Sequence, residues 1–331
     1  MSPKDARKIL FVCAAGPRVG GGHVMRSLTL ARALEARGGS CAFRADPEVA
    51  KVLAAFAPDV ALSDTDSGFD ALVFDSYALT AEDHRAIARG RLALVIDDLA
   101  DRPLAADIVL DSGPARTAAD YGGLVPDGAQ LLLGPAYAPV RPAFSALREA
   151  ALARRAERPP VRRILVSLGL TDLGGITGKV VERLAPLVGE AALDVVLGGA
   201  APSLPALRAL ADKDPRLTLH VDTQDMPRLI LDADLAVGAG GSTTWERCVL
   251  ALPALTLVLA ENQVAAAKAL EAAGVTPRLD VAAPDFETAF DAAVTDLIAS
   301  PERRAVLSAA SATVCDGLGA DRVAQAFLER L

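Results

Sequence analysis

The feature that most constrains the fold is an alternation of short apolar runs with helical or loop segments, which the chain uses twice. Apolar runs of strand length without polar alternation are typical of parallel strands covered on both faces. They occupy residues 9–15, 41–45, 71–75, 92–97, 108–111 and 131–133 in the first half, and residues 164–168, 193–197, 217–221, 235–237 and 255–259 in the second. The pattern predicts an α/β protein with two doubly wound, Rossmann-like lobes.

A basic helical segment with a Pro-Pro, SALREAALARRAERPPVRR at residues 145–163, interrupts this alternation and marks the boundary between the lobes. We therefore expect lobes of residues 1–150 and 151–331, each long enough to bury its own core. The last segment, ADRVAQAFLERL, places Val323, Phe327 and Leu331 four residues apart and predicts an amphipathic helix. Its apolar face must be covered, and packing back on the N-terminal lobe would cover it.

Composition excludes several classes of partner. The net charge of −8 and the aromatic content of 4% argue against a surface that binds nucleic acid. The four cysteines, Cys13, Cys41, Cys248 and Cys315, show no paired metal-ligand spacing and predict reduced thiols in a cytosol. No apolar run approaches the length of about eighteen residues that a membrane span requires. We expect a cytoplasmic monomer without a membrane span.

Polar residues follow the predicted strands, at the edge where open parallel sheets bind their ligands. In the first lobe these segments are residues 20–23, 75–77 and 97–98, and in the second they are residues 169–172, 238–246 and 261–263. If the two lobes face each other, a cleft between them would collect all six segments.

The stretch GGGHVMR, residues 20–26, joins the first strand to a helix and contains His23, one of only three histidines. Neither common phosphate fingerprint fits, because Gly22 stands where a Walker loop has lysine and no G-x-G-x-x-G reads through His23. From the residues alone, His23 is either a functional group or a local helix cap. A helix N-terminus favours the neutral imidazole, which can accept a proton.

The stretch GAGGSTTWE, residues 238–246, has the composition of an anion site without lysine. Its glycines let backbone approach a ligand, and hydroxyl residues then open a helix whose first N–H groups are unpaired. Glu246 could accept hydrogen bonds from two ribose hydroxyls. The alternative is an ordinary capped helix with Glu246 near its positive end. The residues expected to face an anion are Gly240, Gly241, Ser242, Thr243 and Thr244.

This stretch, together with ALPALTLVLAENQ after it, resembles the nucleotide-diphosphate segment of the two-lobed GT-B glycosyltransferases. More narrowly, residues 8 to 275 resemble the UDP-2,4-diacetamido-2,4,6-trideoxy-β-L-altropyranose hydrolases of pseudaminic acid biosynthesis. The matching motifs, in order, are GGGHVMR, Phe74-Asp75-Ser76-Tyr77, Asp97-Asp98 and DYGGLVP at residues 120–126. The chain departs from the family at Leu170, where the family has glycine, so we expect the loop at residues 169–172 to differ.

The resemblance implies a GT-B fold, with two lobes facing each other across a cleft. It also implies inverting hydrolysis of the sugar–phosphate bond of a UDP-sugar, with His23 as the base that activates water and with no metal or cofactor. It places Tyr77 and Asn262 near the sugar, and we expect Gly21, Gly22, Arg26, Asp75, Asp97 and Gln263 to contribute to the same site. The residues that it places near UDP are Gly240, Gly241, Ser242, Thr243, Thr244 and Glu246.

Two other functions remain open from the sequence. One is a GT-B glycosyltransferase that passes the sugar of a UDP-sugar to an unidentified acceptor. The other is a sugar-nucleotide-binding module without catalysis, which the presence of His23 in a glycine loop disfavours. The aspartates Asp75, Asp97 and Asp98 either orient His23 and bind sugar or are ordinary turn residues at strand ends. His84 and His220 lie outside the motifs and are interpreted as structural.

Overall fold

A computed structural model of the protein describes residues 6–16 and 19–331. The chain divides into two compact units, which we call the N-terminal unit (Met1–Arg141 with Gly317–Leu331) and the C-terminal unit (Pro142–Asp316). The boundary expected after residue 150 lies inside a helix, Pro142–Ala156. Near the end of this helix, Arg154 and Arg155 donate to backbone carbonyls between residues 230 and 233, which tie the helix to the C-terminal unit.

The N-terminal unit is built on a sheet of seven parallel strands in the order β3-β2-β1-β4-β5-β6-β7. The order reverses between β1 and β4, so their carboxyl ends form the switch point where ligands of such sheets bind. The strands are β1 (Lys8–Cys13), β2 (Ser40–Arg44), β3 (Ala61–Ser63), β4 (Ala71–Asp75), β5 (Leu92–Ile96), β6 (Ile108–Asp111) and β7 (Gln130–Leu133). The helices between them are α1 (Gly22–Glu35), α2 (Pro47–Phe56) and α3 (Ala81–Ala88).

The C-terminal unit has six parallel strands in the order β10-β9-β8-β11-β12-β13. The strands are β8 (Arg163–Ser167), β9 (Ala192–Leu197), β10 (Leu217–Val221), β11 (Leu235–Ala239), β12 (Ala254–Val258) and β13 (Arg278–Asp280). The helices are α4 (Pro142–Ala156), α5 (Ile176–Leu184), α6 (Leu204–Ala211), α7 (Met226–Asp232), α8 (Thr243–Val249), α9 (Val264–Ala272), α10 (Phe286–Ala299) and α11 (Pro301–Val314). This sheet also reverses its order, between β8 and β11.

The last helix, α12 (Gly319–Arg330), belongs to the N-terminal unit and packs on α1. Val323 and Phe327 are fully buried in a core that they share with Ile9 and Leu30. The helix begins at Gly319, where a Cβ would lie 2.2 Å from the carbonyl oxygen of Ala138. The apolar stripe that the sequence shows in this segment is therefore buried on the N-terminal unit.

The α/β prediction with two doubly wound lobes is confirmed, and each predicted apolar run forms a strand. The strands that sequence reasoning missed are β3 and β13, with three residues each. Both are edge strands whose residues are exposed or half-buried, so neither shows the apolar run on which the prediction depends. Short 3₁₀ turns lie at Ala118–Tyr121, Pro135–Tyr137, Leu173–Gly175 and Glu261–Gln263.

No helix within the described residues is long and apolar enough to cross a membrane. The four cysteines are free thiols, and Cys41, Cys248 and Cys315 are buried. Burial raises the pKa of the Cys248 thiol to about 12. The thiols thus pack as small apolar side chains.

Candidate active site

The loop between β1 and α1 presents His23 at the second position of the helix. The chain turns through Gly20, whose φ of 81° is a left-handed conformation that costs glycine little. Gly21 is the N-cap residue and is buried, while Gly22 opens the helix and is exposed. No side chain caps α1, because its N-cap residue is Gly21, and the ring of His23 is turned towards β4.

An aspartate at the end of the neighbouring strand holds the ring of His23. The Nδ1 atom lies 2.5 Å from Oδ1 of Asp75 and 3.2 Å from the Asp75 carbonyl oxygen. Asp75 is fully buried, and His23 is only 6% exposed. Because a carboxylate can only accept, Nδ1 carries a proton, and in the neutral ring the lone pair is then on Nε2. Nε2 makes no hydrogen bond to any residue within 6–16 and 19–331.

Arg26 keeps this aspartate ionised. Its Nε donates to Oδ2 of Asp75 and its Nη2 to Oδ1, each at 2.7 Å, so the guanidinium binds the carboxylate in a bidentate arrangement with two parallel hydrogen bonds. Ser27 adds a third donor to Oδ2 at 3.2 Å. Burial alone raises the pKa of the Asp75 carboxyl, but the charge of Arg26 and the hydrogen bonds that Arg26 and His23 donate outweigh it and hold the pKa well below its usual range. Asp75 is therefore a carboxylate that accepts from His23, Arg26 and Ser27 together.

Tyr77 and Asp98 extend the same network. Arg26 Nη1 donates to Oδ2 of Asp98 at 2.7 Å, and the Tyr77 hydroxyl donates to the same oxygen at 2.5 Å. The Tyr77 ring packs edge-on against His23, with the ring centroids 4.7 Å apart and the planes at 79°. Asp98 thus links Tyr77 to the helix that carries His23, a role that its position directly after a strand could have suggested.

Asp97 is placed differently from the sequence expectation. It is fully buried, and its carboxylate accepts from Arg102 at 2.8 Å, from the Tyr121 hydroxyl at 3.0 Å and from the Ala100 amide at 2.8 Å. None of these bonds reaches His23. The structure therefore assigns Asp97 to holding the loop after β5 and Tyr121, while Asp75 and Asp98 surround His23 and Arg26.

A second carboxylate cluster that sequence reasoning missed lies beside Asp97. Oδ2 of Asp111 lies 2.8 Å from the Tyr121 hydroxyl, whose one proton is shared between Asp97 and Asp111, and the same oxygen pairs with Nε of Arg116 at 2.6 Å. Arg116 continues to the carbonyl oxygen of Asp98 at 2.7 Å. The available signal was the DYGGLVP run, which contains Tyr121. The arginines gave no signal, because arginine is common on exposed surfaces.

The stretch at residues 238–246, which we call the phosphate loop, connects β11 to α8. A Cβ added to Gly240 would lie 3.2 Å from Cβ of Gln263, whereas one added to Gly241 would meet nothing within 4 Å. Gly240 therefore packs against the segment after β12, and Gly241 borders open space. Ser242 is at the N-cap position of α8 and makes no capping bond with its side chain.

The hydroxyl residues of the phosphate loop differ in their orientation. Ser242 and Thr243 are half-buried, but Thr244 is only 4% exposed. The Thr244 hydroxyl donates to the carbonyl of Ala239 at 3.3 Å and accepts from Arg247 at 3.1 Å. This placement assigns Thr244 to the support of the loop rather than to its open face. Glu246 is half-buried in the first turn of α8.

The two amide residues after β12 also have distinct environments. Gln263 accepts a hydrogen bond from the Leu259 amide at 3.0 Å, which fixes the turn after the strand. Asn262 is exposed within the same 3₁₀ turn. Gln263 therefore shapes the segment that packs on Gly240, whereas Asn262 is on its surface.

The loop at residues 169–172 has Leu170 where the resembled hydrolases have glycine, and its backbone does not require glycine there. Left-handed φ angles occur at Gly169 and at Asp172, but not at Leu170. Asp172 is fully buried, and its carboxylate accepts from the amides of Thr177 at 2.7 Å and Ser203 at 2.8 Å. The side chain of Asp172 thus holds the start of α5, and Leu170 adopts an ordinary backbone conformation.

The other histidines lie apart from His23. His84 is fully buried, with its ring 4.7 Å from that of Phe74, and burial lowers its pKa to about 4. His220 pairs through Nε2 with Oδ1 of Asp194, at 2.7 Å, in the C-terminal unit. No group of three or more His, Cys, Asp or Glu side chains in the described part of the chain is arranged to hold a metal ion.

Comparison with known proteins gives two curated relatives, and no protein-family profile matches the chain. The UDP-2,4-diacetamido-2,4,6-trideoxy-β-L-altropyranose hydrolase of Campylobacter jejuni is 22% identical over 265 residues, which cover 77% of this chain and 93% of the hydrolase. The spore coat polysaccharide biosynthesis protein SpsG of Bacillus subtilis is 34% identical over 137 residues. That match spans 41% of this chain and 39% of the length of SpsG.

Solved structures match nearly the whole chain. MurG of Acinetobacter baumannii aligns with a TM-score of 0.66 and 16% identity, covering 98% of this chain and 99% of MurG. A spinosyn rhamnosyltransferase, solved with thymidine diphosphate, aligns with a TM-score of 0.67 and 17% identity, covering 96% of this chain and 99% of that enzyme. The chain has the GT-B fold.

The predicted resemblance is therefore confirmed at the level of the GT-B fold and of a distant hydrolase relative. Within this GT-B protein, the His23 network lies at the carboxyl ends of β1 and β4, and the phosphate loop lies at the carboxyl end of β11. Each is the switch-point edge of its own sheet. These likenesses show the GT-B fold of the chain, with one distant relative that is a UDP-sugar hydrolase.

Proposed function

We propose that this protein hydrolyses UDP-2,4-diacetamido-2,4,6-trideoxy-β-L-altropyranose to the free sugar and UDP, with inversion and without a metal. The observation that carries the proposal is the His23–Asp75 pair, 2.5 Å apart, with Asp75 gripped by Arg26. The name of the Campylobacter relative supports the substrate class.

In this mechanism His23 is the general base. Its Nε2 atom takes a proton from water, and the water oxygen forms a bond to the anomeric carbon. The bond between that carbon and the phosphate oxygen breaks, and UDP leaves with the electron pair. The Asp75 carboxylate stabilises the imidazolium that forms, and Arg26 fixes the carboxylate in place. The proton then passes from His23 to solvent.

The leaving group needs donors more than it needs a general acid, because UDP is already a stable anion. Gly240, Gly241, Ser242 and Thr243 form the open face of the phosphate loop and would receive the diphosphate. Glu246 would accept hydrogen bonds from the ribose hydroxyls.

The residues that contact the sugar of the substrate are part of the proposal. Tyr77 packs against His23, so its position suits a contact with the sugar that His23 attacks. Gly21, Gly22, Arg26 and Asn262 are assigned to the same role, with Arg26 acting through Asp75. Asp97 and Gln263 would act only indirectly, because their side chains support neighbouring loops.

Proton NMR of the UDP-sugar incubated with the enzyme, without any acceptor, tests the proposal. We expect stoichiometric UDP and free sugar, with the inverted anomer appearing first. In water labelled with heavy oxygen, the label should enter the sugar and not UDP, since the carbon–oxygen bond breaks. Label in UDP would overturn the mechanism.

A GT-B glycosyltransferase that uses a UDP-sugar and an unidentified acceptor is the alternative. It is favoured by the rhamnosyltransferase among the structural neighbours and by the polysaccharide pathway named for SpsG. In the same experiment a glycosyltransferase would leave the UDP-sugar intact until an acceptor is added.

A further inference from the structure

A buried guanidinium that the sequence analysis did not single out lies within the phosphate loop. Arg247 is only 3% exposed. Its Nη2 donates to the carbonyl oxygen of Ala239 at 3.0 Å and to the Thr244 hydroxyl at 3.1 Å, and its Nη1 reaches the Thr243 hydroxyl at 3.4 Å. The side chain thus joins the end of β11 to the first residues of α8.

The charge of this guanidinium is not neutralised by an ion pair. Its hydrogen bonds all go to neutral oxygens, and no carboxylate in the described part of the chain forms a salt bridge with it. Burial lowers the pKa of Arg247, and the nearby Glu246 carboxylate offsets this only in part. The side chain still remains cationic, since arginine does not lose its proton in proteins. A buried cation without an anion is costly.

Two other buried arginines show what an ordinary structural role looks like in this unit. Arg155 donates to carbonyls at the end of α7, and Arg304 donates to the carbonyls of residues 297 and 298 near the end of α10. A helix C-terminus carries partial negative charge and favours a cation. Arg247 is in the last turn of α8, but its guanidinium reaches back to Thr243 and Thr244, which open the helix and where the partial charge is positive. The helix dipole at the guanidinium therefore does not explain its burial.

The chain also reserves space for this group. A Cβ on Gly238 would lie 2.3 Å from Nη1 of Arg247. Gly238 has an ordinary φ, so the constraint is the close approach of the guanidinium and not the backbone conformation. A strand glycine is thus explained by the position of Arg247.

We propose that Arg247 is the fixed positive charge of the phosphate loop, which holds the Ala239 carbonyl and the Thr244 hydroxyl in place and is neutralised when a nucleoside diphosphate binds. The inference rests on the proposed function, because the diphosphate is the leaving group of that reaction. Arg247 is a positioning residue, since it acts through the loop from beneath.

The test compares UDP with uridine, which share the nucleoside and differ in the charged diphosphate group. In Arg247→Gln the amide can still donate to the loop, but the charge is gone. We expect calorimetry to show UDP bound about tenfold to a hundredfold more weakly, while uridine affinity changes by less than about threefold. Arg247→Lys should recover most of the preference for UDP over uridine. An equal loss for UDP and uridine would overturn the proposal and leave a structural role.

Two further variants keep the test sharp. Arg304→Met removes a buried guanidinium bonded to carbonyls away from the loop, so it should lower the melting temperature without changing the ratio of UDP to uridine affinity. Gly238→Ala displaces the guanidinium without removing it and should reduce that ratio, even if Arg247→Gln does not fold. A ratio that is unchanged in Gly238→Ala would contradict the inference.

Pyrophosphate separates this inference from the proposed function. If pyrophosphate raises the melting temperature of the wild type more than that of Arg247→Gln while no uridine compound binds, the anion site stands and the UDP-sugar function fails. If the wild type hydrolyses the UDP-sugar and Arg247→Gln keeps its preference for UDP over uridine, the function stands and the inference fails.

Discussion

The N-terminal and C-terminal units differ in the partners of their least exposed arginines. In the N-terminal unit the guanidinium groups at the carboxyl edge of the sheet pair with carboxylates. Arg26 binds Asp75 and Asp98, Arg102 binds Asp97, and Arg116 binds Asp111. In the C-terminal unit the most buried arginines, Arg155, Arg247 and Arg304, bond to backbone carbonyls and hydroxyls instead.

The pKa shifts follow this difference. Burial lowers the pKa of each group, yet the carboxylates around Arg26 outweigh it and raise the pKa of Arg26 well above its usual value. The pKa of Arg155 is lowered to about 10, and those of Arg247 and Arg304 are also lowered. The N-terminal site neutralises its own charges and suits proton transfer. The phosphate loop keeps a cation that suits an anionic ligand.

The largest expected effect is the loss of turnover when His23, in the N-terminal unit, is replaced. His23→Gln keeps a polar side chain but cannot take a proton from water, so turnover should fall by about 10²–10⁴-fold while UDP affinity stays near wild type. Stopped assays of turnover and calorimetry of UDP binding measure the two quantities. A variant within a few-fold of wild type would place the base elsewhere, with Asp75 next.

Arginines that pair with carboxylates and arginines that bond to carbonyls should differ in their effect on stability. Arg26→Met leaves Asp75 buried without its cation and should lower the free energy of unfolding by about 3–5 kcal/mol. Arg304→Met leaves only carbonyls without donors and should lower it by about 1–3 kcal/mol. Trp245 is the single tryptophan and lies in the C-terminal unit, so its fluorescence follows that unit in urea. We expect Arg304→Met to shift the fluorescence transition and Arg26→Met to shift mainly the circular dichroism. Equal losses of unfolding free energy in the two variants would contradict the difference between carboxylate-paired and carbonyl-bonded arginines.

The N-terminal unit should also cause part of the loss of unfolding free energy at acidic pH. The pKa of Asp75 is depressed in the folded protein, so its contribution is complete above the ordinary carboxyl pKa of about 4 and is lost as pH falls towards the folded value. Asp75→Asn cannot titrate there. Its unfolding free energy should therefore fall less steeply below pH about 4 than that of the wild type, as urea titrations at several pH values would show. If the unfolding free energies of the wild type and the variant fall in parallel with pH, the partners of Asp75 do not lower its pKa in the folded protein.

On the C-terminal side, Glu246→Ala should weaken UDP binding by about 1–3 kcal/mol, roughly tenfold to a hundredfold, if the carboxylate holds both ribose hydroxyls. 2′-Deoxy-UDP is a matched control, because it should lose less affinity in the variant than UDP does. Calorimetry that finds UDP affinity unchanged would remove Glu246 from the nucleotide site.

The smallest expected effect is that of a chelator. The carboxylates Asp75, Asp97 and Asp98 are already held by guanidinium groups, so turnover in excess EDTA should stay within about twofold of the untreated rate. A loss restored by Mg²⁺ or Mn²⁺ would mean that Asp97 and Asp98 bind a catalytic ion, and the pairing of charges in the N-terminal unit would need another explanation.

The candidate site could be predicted from the sequence only in part. The motif GGGHVMR and the strand ends indicated which segments carry polar groups, and His23, Arg26, Asp75 and Tyr77 do lie in one network. The roles of individual aspartates could not be predicted, because two adjacent residues at a strand end point to different sides. Asp98 therefore meets Arg26 and Tyr77, while Asp97 is buried against Arg102 and Tyr121.

The fold was predictable because it depends on a repeated local pattern. Buried parallel strands must be apolar along their length, so each lobe shows its strands in the sequence, and only the edge strands β3 and β13 escape. The extent of each unit depends instead on contacts between distant residues. Arg155 ties α4 to α7, and Val323 and Phe327 place α12 on the N-terminal unit.

The sequence by itself thus determined the α/β class, the order of the elements and the loops where polar side chains gather, because these follow from hydrophobic periodicity and short motifs. Only the tertiary structure decided how charges are paired. A guanidinium reaches whichever oxygen lies within a few ångströms, and that neighbour is set by the packing of segments far apart in the chain. Arg26 therefore meets Asp75, 49 residues away, whereas Arg247 meets no carboxylate among the described residues.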